Sequence, residues 1–212
     1  MNTTIPVHPL RGKARILLTS VFGPYSQDDE YGSRKMNPME LYHNQVTRVQ
    51  GPFSLRMHHR SFGLMMIQAN LDAPCTLLDF PDQERFIEEI RDKDYDIIGI
   101  SAIIPNTGKV KRMCELIRHY RPTAEIVIGG HIANVPDLAR RIDADHIVKG
   151  DGVRWMRTHL GQDPEQPVRH PLAISGFGTR VFGCNSPARE GDTAGMLIPS
   201  VGCPMGCNFC ST

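Results

Sequence analysis

Residues 96–130, DIIGISAIIPNTGKVKRMCELIRHYRPTAEIVIGG, contain a complete strand–helix–strand unit. Residues 96–103 (DIIGISAI) run apolar without polar alternation, the pattern of a strand buried on both faces. Residues 110–120 then place Val110, Met113, Cys114 and Ile117 at three- and four-residue steps, which predicts one apolar helix face. Asn106-Thr107 stands where that helix needs a cap. Residues 125–130 (EIVIGG) return as a second buried strand. Parallel neighbours require a crossover of about this length, so the unit predicts a parallel sheet.

The same rhythm extends outward. Residues 14–20 (ARILLTS), 75–80 (CTLLDF) and 146–150 (HIVKG) read as three further strands. Pro81-Asp82 opens a helix over 84–91, where Phe86, Ile87 and Ile90 share a face, and residues 136–142 and 153–160 predict two shorter helices. Five strands joined by helices with right-handed crossovers give an α/β fold, a flavodoxin-like doubly wound parallel sheet of order 2-1-3-4-5. One connection is far longer than a βα loop: residues 21–72 intervene before the second strand. Within it residues 39–49 and 62–71 predict helices, and residues 23–37 are rich in Gly, Asp, Ser and Pro. Such an insertion sits at the carboxyl edge of the sheet, as a ligand-binding element or as a surface elaboration. Residues 161–171 (GQDPEQPVRHP) are a linker by composition, 172–195 a loop with a short hairpin, and 196–201 (MLIPSV) a strand. The expected organisation is an α/β domain over 1–160, a linker and irregular segment over 161–195, and a new domain beginning at 196–212.

Composition narrows the class. The 212 residues are 40% hydrophobic and 22% charged with a formal net charge of +1, so charge offers no attraction to nucleic acid or an anionic membrane. No apolar run is long enough to span a bilayer, and the first residues lack the apolar stretch of a secretory signal. The expected compartment is the cytoplasm, where clustered thiols stay reduced and read as metal ligands.

Such a cluster stands at Cys203, Cys207 and Cys210, with spacing C-x3-C-x2-C. Thiolates ligate iron–sulfur clusters, and three of them leave one iron of a [4Fe-4S] cube open to another ligand. Pro204 and Gly206 allow the tight backbone this needs. Zinc is the alternative, but it calls for a fourth ligand, and Cys184 lies nineteen residues upstream. A two-cluster ferredoxin would show a different spacing. Cys75, at a strand start, and Cys114, on an apolar helix face, read as small core residues.

The cysteine motif, after a short apolar strand and with Phe209 before its last cysteine, resembles that of the radical S-adenosylmethionine (SAM) superfamily. The resemblance implies that Cys203, Cys207 and Cys210 hold the [4Fe-4S] cluster and that Phe209 packs near the adenine of SAM. It further implies that the open iron chelates SAM for reductive cleavage to a 5′-deoxyadenosyl radical. An electron donor such as flavodoxin or ferredoxin is then expected. A radical SAM barrel extends some two hundred residues beyond its cysteines, so a piece ending at Thr212 is expected to be incomplete for catalysis.

An α/β domain followed by a linker and this motif is similar to the cobalamin-binding subclass of that superfamily. The matching features lie at strand ends: Thr19-Ser20, Ser101-Ala102-Ile103, Gly129-Gly130-His131 and Gly150-Asp151-Gly152. The resemblance makes Ser20, Ser101, Gly129, Gly130, His131, Gly150 and Gly152 candidate cobalamin-binding residues, with Ser101 and the paired glycines along the nucleotide tail. Taken singly, each glycine pair also reads as a tight βα turn. Cobalamin domains of the D-x-H-x-x-G type replace the lower axial base with a histidine, whereas the equivalent stretch here is Val21-Phe22-Gly23-Pro24-Tyr25. Cobalamin is therefore expected without a protein histidine ligand, and His58, His59 and His131 are not assigned that role. The resemblance implies a B12-dependent radical SAM enzyme, with methyl transfer to an unactivated carbon among its reactions. A cobalamin carrier or sensor, or a zinc-binding interaction protein, are the other classes.

Overall fold

The computed structural model describes residues 5–22, 40–42, 53–57, 60–181, 184–186 and 193–199. In chain order the elements are β1 (Ile16–Ser20), β2 (Glu40–Tyr42), β3 (Phe53–Met57), α1 (Phe62–Ala69), β4 (Cys75–Leu78), α2 (Gln83–Asp92), β5 (Ile97–Ser101), α3 (Thr107–Tyr120), β6 (Glu125–Gly129), β7 (His146–Ile147), α4 (Gly152–His159), β8 (Ala173–Val181), β9 (Cys184–Ser186) and β10 (Thr193–Met196). One sheet is wholly parallel, in the order β4-β1-β5-β6-β7. Counting only its own strands, that is the expected 2-1-3-4-5.

Side-chain alternation explains why the sheet is covered on both faces. Leu17, Ile98, Ile100, Ile126 and Ile128 meet Phe86 and Ile90 of α2 and Val110, Met113 and Ile117 of α3. Ile16, Leu18, Ile97 and Val127 point the other way, onto Leu64 of α1 and Met156 of α4. The inner strands β1, β5 and β6 are buried nearly throughout, whereas the edge strand β4 is only half-buried. Asp82 caps α2, its Oδ1 accepting from Arg85 N at 2.7 Å.

Several local expectations are corrected. Asn106 does not cap α3: its side chain makes no capping hydrogen bond, and Thr107 is already helical, donating from Oγ1 to Ile104 O at 2.7 Å. The β6–β7 connection uses two 3-10 helices, His131–Asn134 and Leu138–Arg140, in place of an α-helix over 136–142. Asp137 at φ 53° turns the chain left-handed between them, which an α-helix cannot absorb. Residues 40–42 are strand β2, not helix; residues 43–49 lie outside the described set. Helix α1 matches its expected start and ends two residues early.

The larger correction is a second, antiparallel sheet of order β10-β8-β3-β2, with β9 paired to β8. Strand β3 from the long insertion pairs with β8 from beyond the linker, Phe53 opposite Val181 and Met57 opposite Phe177. The short hairpin expected in 172–195 is present as β8 with β9, but the segment expected to be otherwise loop is largely the nine-residue strand β8. Gly176, Gly178 and Thr179 obscure its period, and its partner lies over a hundred residues earlier in the chain. The expected strand over 196–201 ends at Met196 in β10.

The linker is held down. Arg157, 2% exposed, donates from Nε to Asn70 O at 3.0 Å, from Nη2 to Asn70 Oδ1 at 3.0 Å and Pro167 O at 3.3 Å, and from Nη1 to Gln166 O. Asn70 closes the circuit: Nδ2 donates to Arg169 O at 2.8 Å and Oδ1 accepts from Arg169 N at 2.7 Å. A buried guanidinium with fixed donors is suited to pinning a chain that offers only carbonyls.

Candidate functional site

In a doubly wound sheet ligands bind beyond the carboxyl ends of the strands, where the strand order reverses. Here that edge is formed by the loops leaving β1, β4, β5, β6 and β7. The switch point lies between β1 and β5, in register with Ser20 opposite Ser101.

Ser20 is 2% exposed and committed to its own chain. Its Oγ accepts from Phe80 N at 2.5 Å and donates to Asp79 Oδ1 at 3.4 Å. Asp79 also accepts from Ser61 N, at 3.1 Å to Oδ2, and faces Arg60 Nε at 3.4 Å. This knot joins the ends of β1 and β4 to the start of α1. Asp79, Ser61 and Arg60 are edge residues that sequence reasoning missed; the Asp79-Phe80 pair just past an apolar strand was their one signal.

Ser101 and Gly130 form the second knot. Ala102 N donates to Gly129 O at 3.2 Å, and Ala102 O accepts from Ile132 N at 3.1 Å, bracing the β5 and β6 loops together. Gly130, at φ 82° and ψ −170°, passes so close that a Cβ would lie 2.7 Å from Ala102 O and 2.9 Å from Ser101 Oγ. Only glycine fits there, for a reason internal to the chain. Gly129 differs: among the described residues nothing lies within 4 Å of a Cβ built on it. His131 is exposed at the start of the 3-10 helix.

At the β7 end Gly150 turns the chain at φ 87°, and among the described residues nothing lies within 4 Å of a Cβ built on it. Asp151 caps α4, its Oδ1 accepting from Val153 N at 2.9 Å and Arg154 N at 3.2 Å. Gly152 serves packing, since a Cβ there would meet Ile67 Cδ1 of α1 at 2.9 Å. The candidates therefore divide: Gly129 and Gly150 leave open space, whereas Ser20, Gly130 and Gly152 have contacts within the fold.

Three further residues mark this edge. Ile103 and Ile104 are large, apolar and exposed, at 36% and 42%. Asn106, next along the same loop, is 4% exposed, and among the described residues its Oδ1 has no hydrogen-bond partner. A buried amide oxygen in that state costs about 1–3 kcal/mol, an expense expected of a site rather than of a core. Lys109, buried in the first turn of α3, holds Nζ 5.9 Å over the Phe22 ring. Bare backbone, exposed isoleucines and a buried amide fit a large, mostly apolar ligand with polar side groups.

Cys203, Cys207, Cys210 and Phe209 lie outside the described residues, as do His58 and His59. Cys75 and Cys114 are half-buried and buried free thiols, and burial pushes both up to about 12, so neither is reactive. Among the described residues no helix is long and apolar enough to cross a membrane.

Comparison with known proteins concerns the domain as a whole. Residues 54–157 match the family model of the B12 binding domain, which supports a cobalamin-binding domain in this chain. The match runs from β3 to α4 and takes in Ser101, Gly129, Gly130, His131, Gly150 and Gly152, but not β1 with Ser20. An uncharacterized protein of Methanocaldococcus jannaschii is 32% identical over 83 residues, 39% of this chain and 16% of that protein. The chain thus aligns with under a fifth of that relative's length. No solved structure matches.

Proposed function

We propose that this chain is the cobalamin-binding and cluster-binding part of a B12-dependent radical SAM enzyme. One observation carries the first half: the B12 binding match over residues 54–157 falls on a sheet whose carboxyl edge leaves open space at Gly129 and Gly150. Bound cobalamin would supply alkyl-transfer chemistry, and cluster-bound SAM the radical chemistry. The chain's own residues do the holding. Gly129 and Gly150 admit a large ligand to the backbone, Ile103 and Ile104 offer apolar contact, and Asn106 offers a buried amide. Gly130 and Ser20 keep the loops in place around it. No histidine is assigned as an axial ligand.

The second half rests on the C-x3-C-x2-C spacing. Cys203, Cys207 and Cys210 would hold a [4Fe-4S] cluster, Phe209 would pack near SAM, and flavodoxin or ferredoxin would deliver the electron. Methyl transfer to an unactivated carbon is the reaction class this combination favours. A second reading, a cobalamin carrier or sensor without radical chemistry, needs only the B12 binding match over residues 54–157.

Two measurements separate them. Hydroxocobalamin should stay with the protein through desalting, read as visible absorbance; its complete loss removes the first half. Anaerobic reconstitution with iron and sulfide should give a brown protein. If Cys203→Ala, Cys207→Ala and Cys210→Ala together leave that colour unchanged, the cluster assignment fails and the carrier reading stands.

A further inference from the structure

At the opposite, amino edge of the parallel sheet, three donors converge that cobalamin binding does not use. Glu125 heads β6 and His146 heads β7, and Val127 pairs in register with His146. Alternation therefore puts Glu125 and His146 on one face, the face covered by α4, whose last residue is His159. His146 Nε2 lies 2.5 Å from Glu125 Oε1, and His159 Nε2 lies 3.0 Å from Glu125 Oε2. One donor atom from each residue falls within 4.8 Å of the other two. From Gly129, at the far end of β6, this cluster is four residues away, roughly 13 Å at the rise of a strand.

The hydrogen bonds around the cluster fix how its donors are aimed. His159 is 1% exposed, and its Nδ1 lies 2.6 Å from the carbonyl of Pro6, which can only accept. Its Nδ1 is therefore protonated. Its other nitrogen, Nε2, is thereby turned toward Glu125 Oε2, 3.0 Å away, on the same side as His146. A histidine whose Nδ1 is held by a carbonyl presents Nε2 in a fixed direction, and that Nδ1 bond is the usual outer partner of a metal-bound histidine. Trp155 stacks on the His159 ring, centroids 4.7 Å apart at 22°, and stands 5.2 Å from His146, which fixes both rings. His8 is a different case. Its Nδ1 accepts from Leu10 N at 3.2 Å, so its ring proton sits on Nε2, facing Glu125 Oε2 at 3.7 Å as a donor and not a ligand.

We infer that Glu125, His146 and His159 form a binding site for a zinc-type divalent cation, separate from the cobalamin edge. Two imidazoles and a carboxylate are a donor set that borderline cations favour, with a fourth position left for solvent. The ion would lock the amino-terminal segment onto the sheet, because His159 also holds Pro6 through Nδ1 and His8 N donates to His159 O at 2.7 Å.

The test uses the full chain with Cys203→Ser, Cys207→Ser and Cys210→Ser, so that those thiolates do not compete. Cobalt(II) is the probe, read by its visible d–d absorption and by fluorescence of Trp155, the one tryptophan in the sequence. The expected result is one cobalt per chain, quenched fluorescence, no sulfur-to-cobalt charge transfer, and recovery of emission when zinc displaces cobalt. His146→Gln and His159→Gln should each weaken binding by at least 10- to 100-fold, roughly what even an outer partner is worth. A chain that stays metal-free, or that binds cobalt equally well as His146→Gln, overturns the site. If circular dichroism shows that a variant has not folded, X-ray absorption of the zinc-loaded triple-serine chain decides. Imidazole scattering around the metal supports the site, and its absence refutes it.

Discussion

Two adjacent glycines should separate folding from ligand binding. Gly130→Ala forces an L-residue into φ 82°, ψ −170°, a region essentially reserved for glycine, at about 1–3 kcal/mol. The new methyl would also stand 2.7 Å from Ala102 O and 2.9 Å from Ser101 Oγ. Crowding of that kind adds another ~1–3 kcal/mol. One backbone shift relieves part of both, so a loss of about 3 kcal/mol is expected. For a chain of this size that lowers Tm by roughly 6–12 °C. Gly129→Ala meets nothing within 4 Å among the described residues and lies in ordinary strand conformation, so its stability should change by less than about 1 kcal/mol. Its methyl enters the space proposed for cobalamin, so hydroxocobalamin retention should fall. Urea denaturation followed by circular dichroism, without cobalamin, reads the first effect, and a visible-absorbance titration reads the second. A Gly130→Ala chain as stable as the parent, or a Gly129→Ala chain that loses as much stability as Gly130→Ala, would refute this division of roles.

Asn106→Ala should leave stability unchanged or improved in urea, since it deletes an amide oxygen with no described partner, while weakening hydroxocobalamin binding; a loss of about 2 kcal/mol or more would mean the amide is already satisfied. Arg157→Met strips donors from Asn70 O, Gln166 O and Pro167 O and should cost about 3 kcal/mol or more, with new proteolytic cleavage within residues 161–171 as the specific sign. Glu89 is 2% exposed; burial alone would raise its pKa, but the hydrogen bond from Tyr95 and those from Lys93 and Arg85 outweigh it and hold it below the ordinary 4.5. A depressed carboxylate stabilises the fold above its unfolded pKa and loses that contribution as pH falls through the folded value. Urea midpoints should therefore drop below about pH 4.5, and Glu89→Gln, weaker at pH 7, should show a flatter acid limb.

Much of the parallel sheet was legible because burial on both faces leaves a local signature. Residues 97–101 and 125–129 are nearly continuous apolar runs, and α3 shows its face at Val110, Met113 and Ile117. Of the antiparallel sheet only the short β8–β9 hairpin was legible. Strand β8 is interrupted by glycine, and its partner β3 lies in a segment read as insertion, so neither looks like a strand without the other. The candidate site was legible as a set of positions but not of roles. Gly129 and Gly130 are identical letters; φ and the nearness of Ala102 O distinguish them. Asn106 reads as a cap in sequence because capping is its commonest local use, and only the burial around it shows otherwise.

The sequence by itself determined the succession of the five parallel strands and of helices α1 to α4, though not the 3-10 connection from β6 to β7, because those depend on the period of apolar residues along a few contiguous turns. It also holds the C-x3-C-x2-C spacing, because a spacing is a property of eight consecutive positions and needs no fold to be read. What the tertiary structure alone decided is everything that depends on residues distant in the chain meeting. That includes the pairing of β3 with β8, the anchoring of the linker by Arg157 and Asn70, and the gathering of Glu125, His146 and His159 at one sheet edge. The physical reason is common to all three. Each partner alone satisfies no local rule, and each acquires its role only from a neighbour that strand register or helix packing delivers from elsewhere.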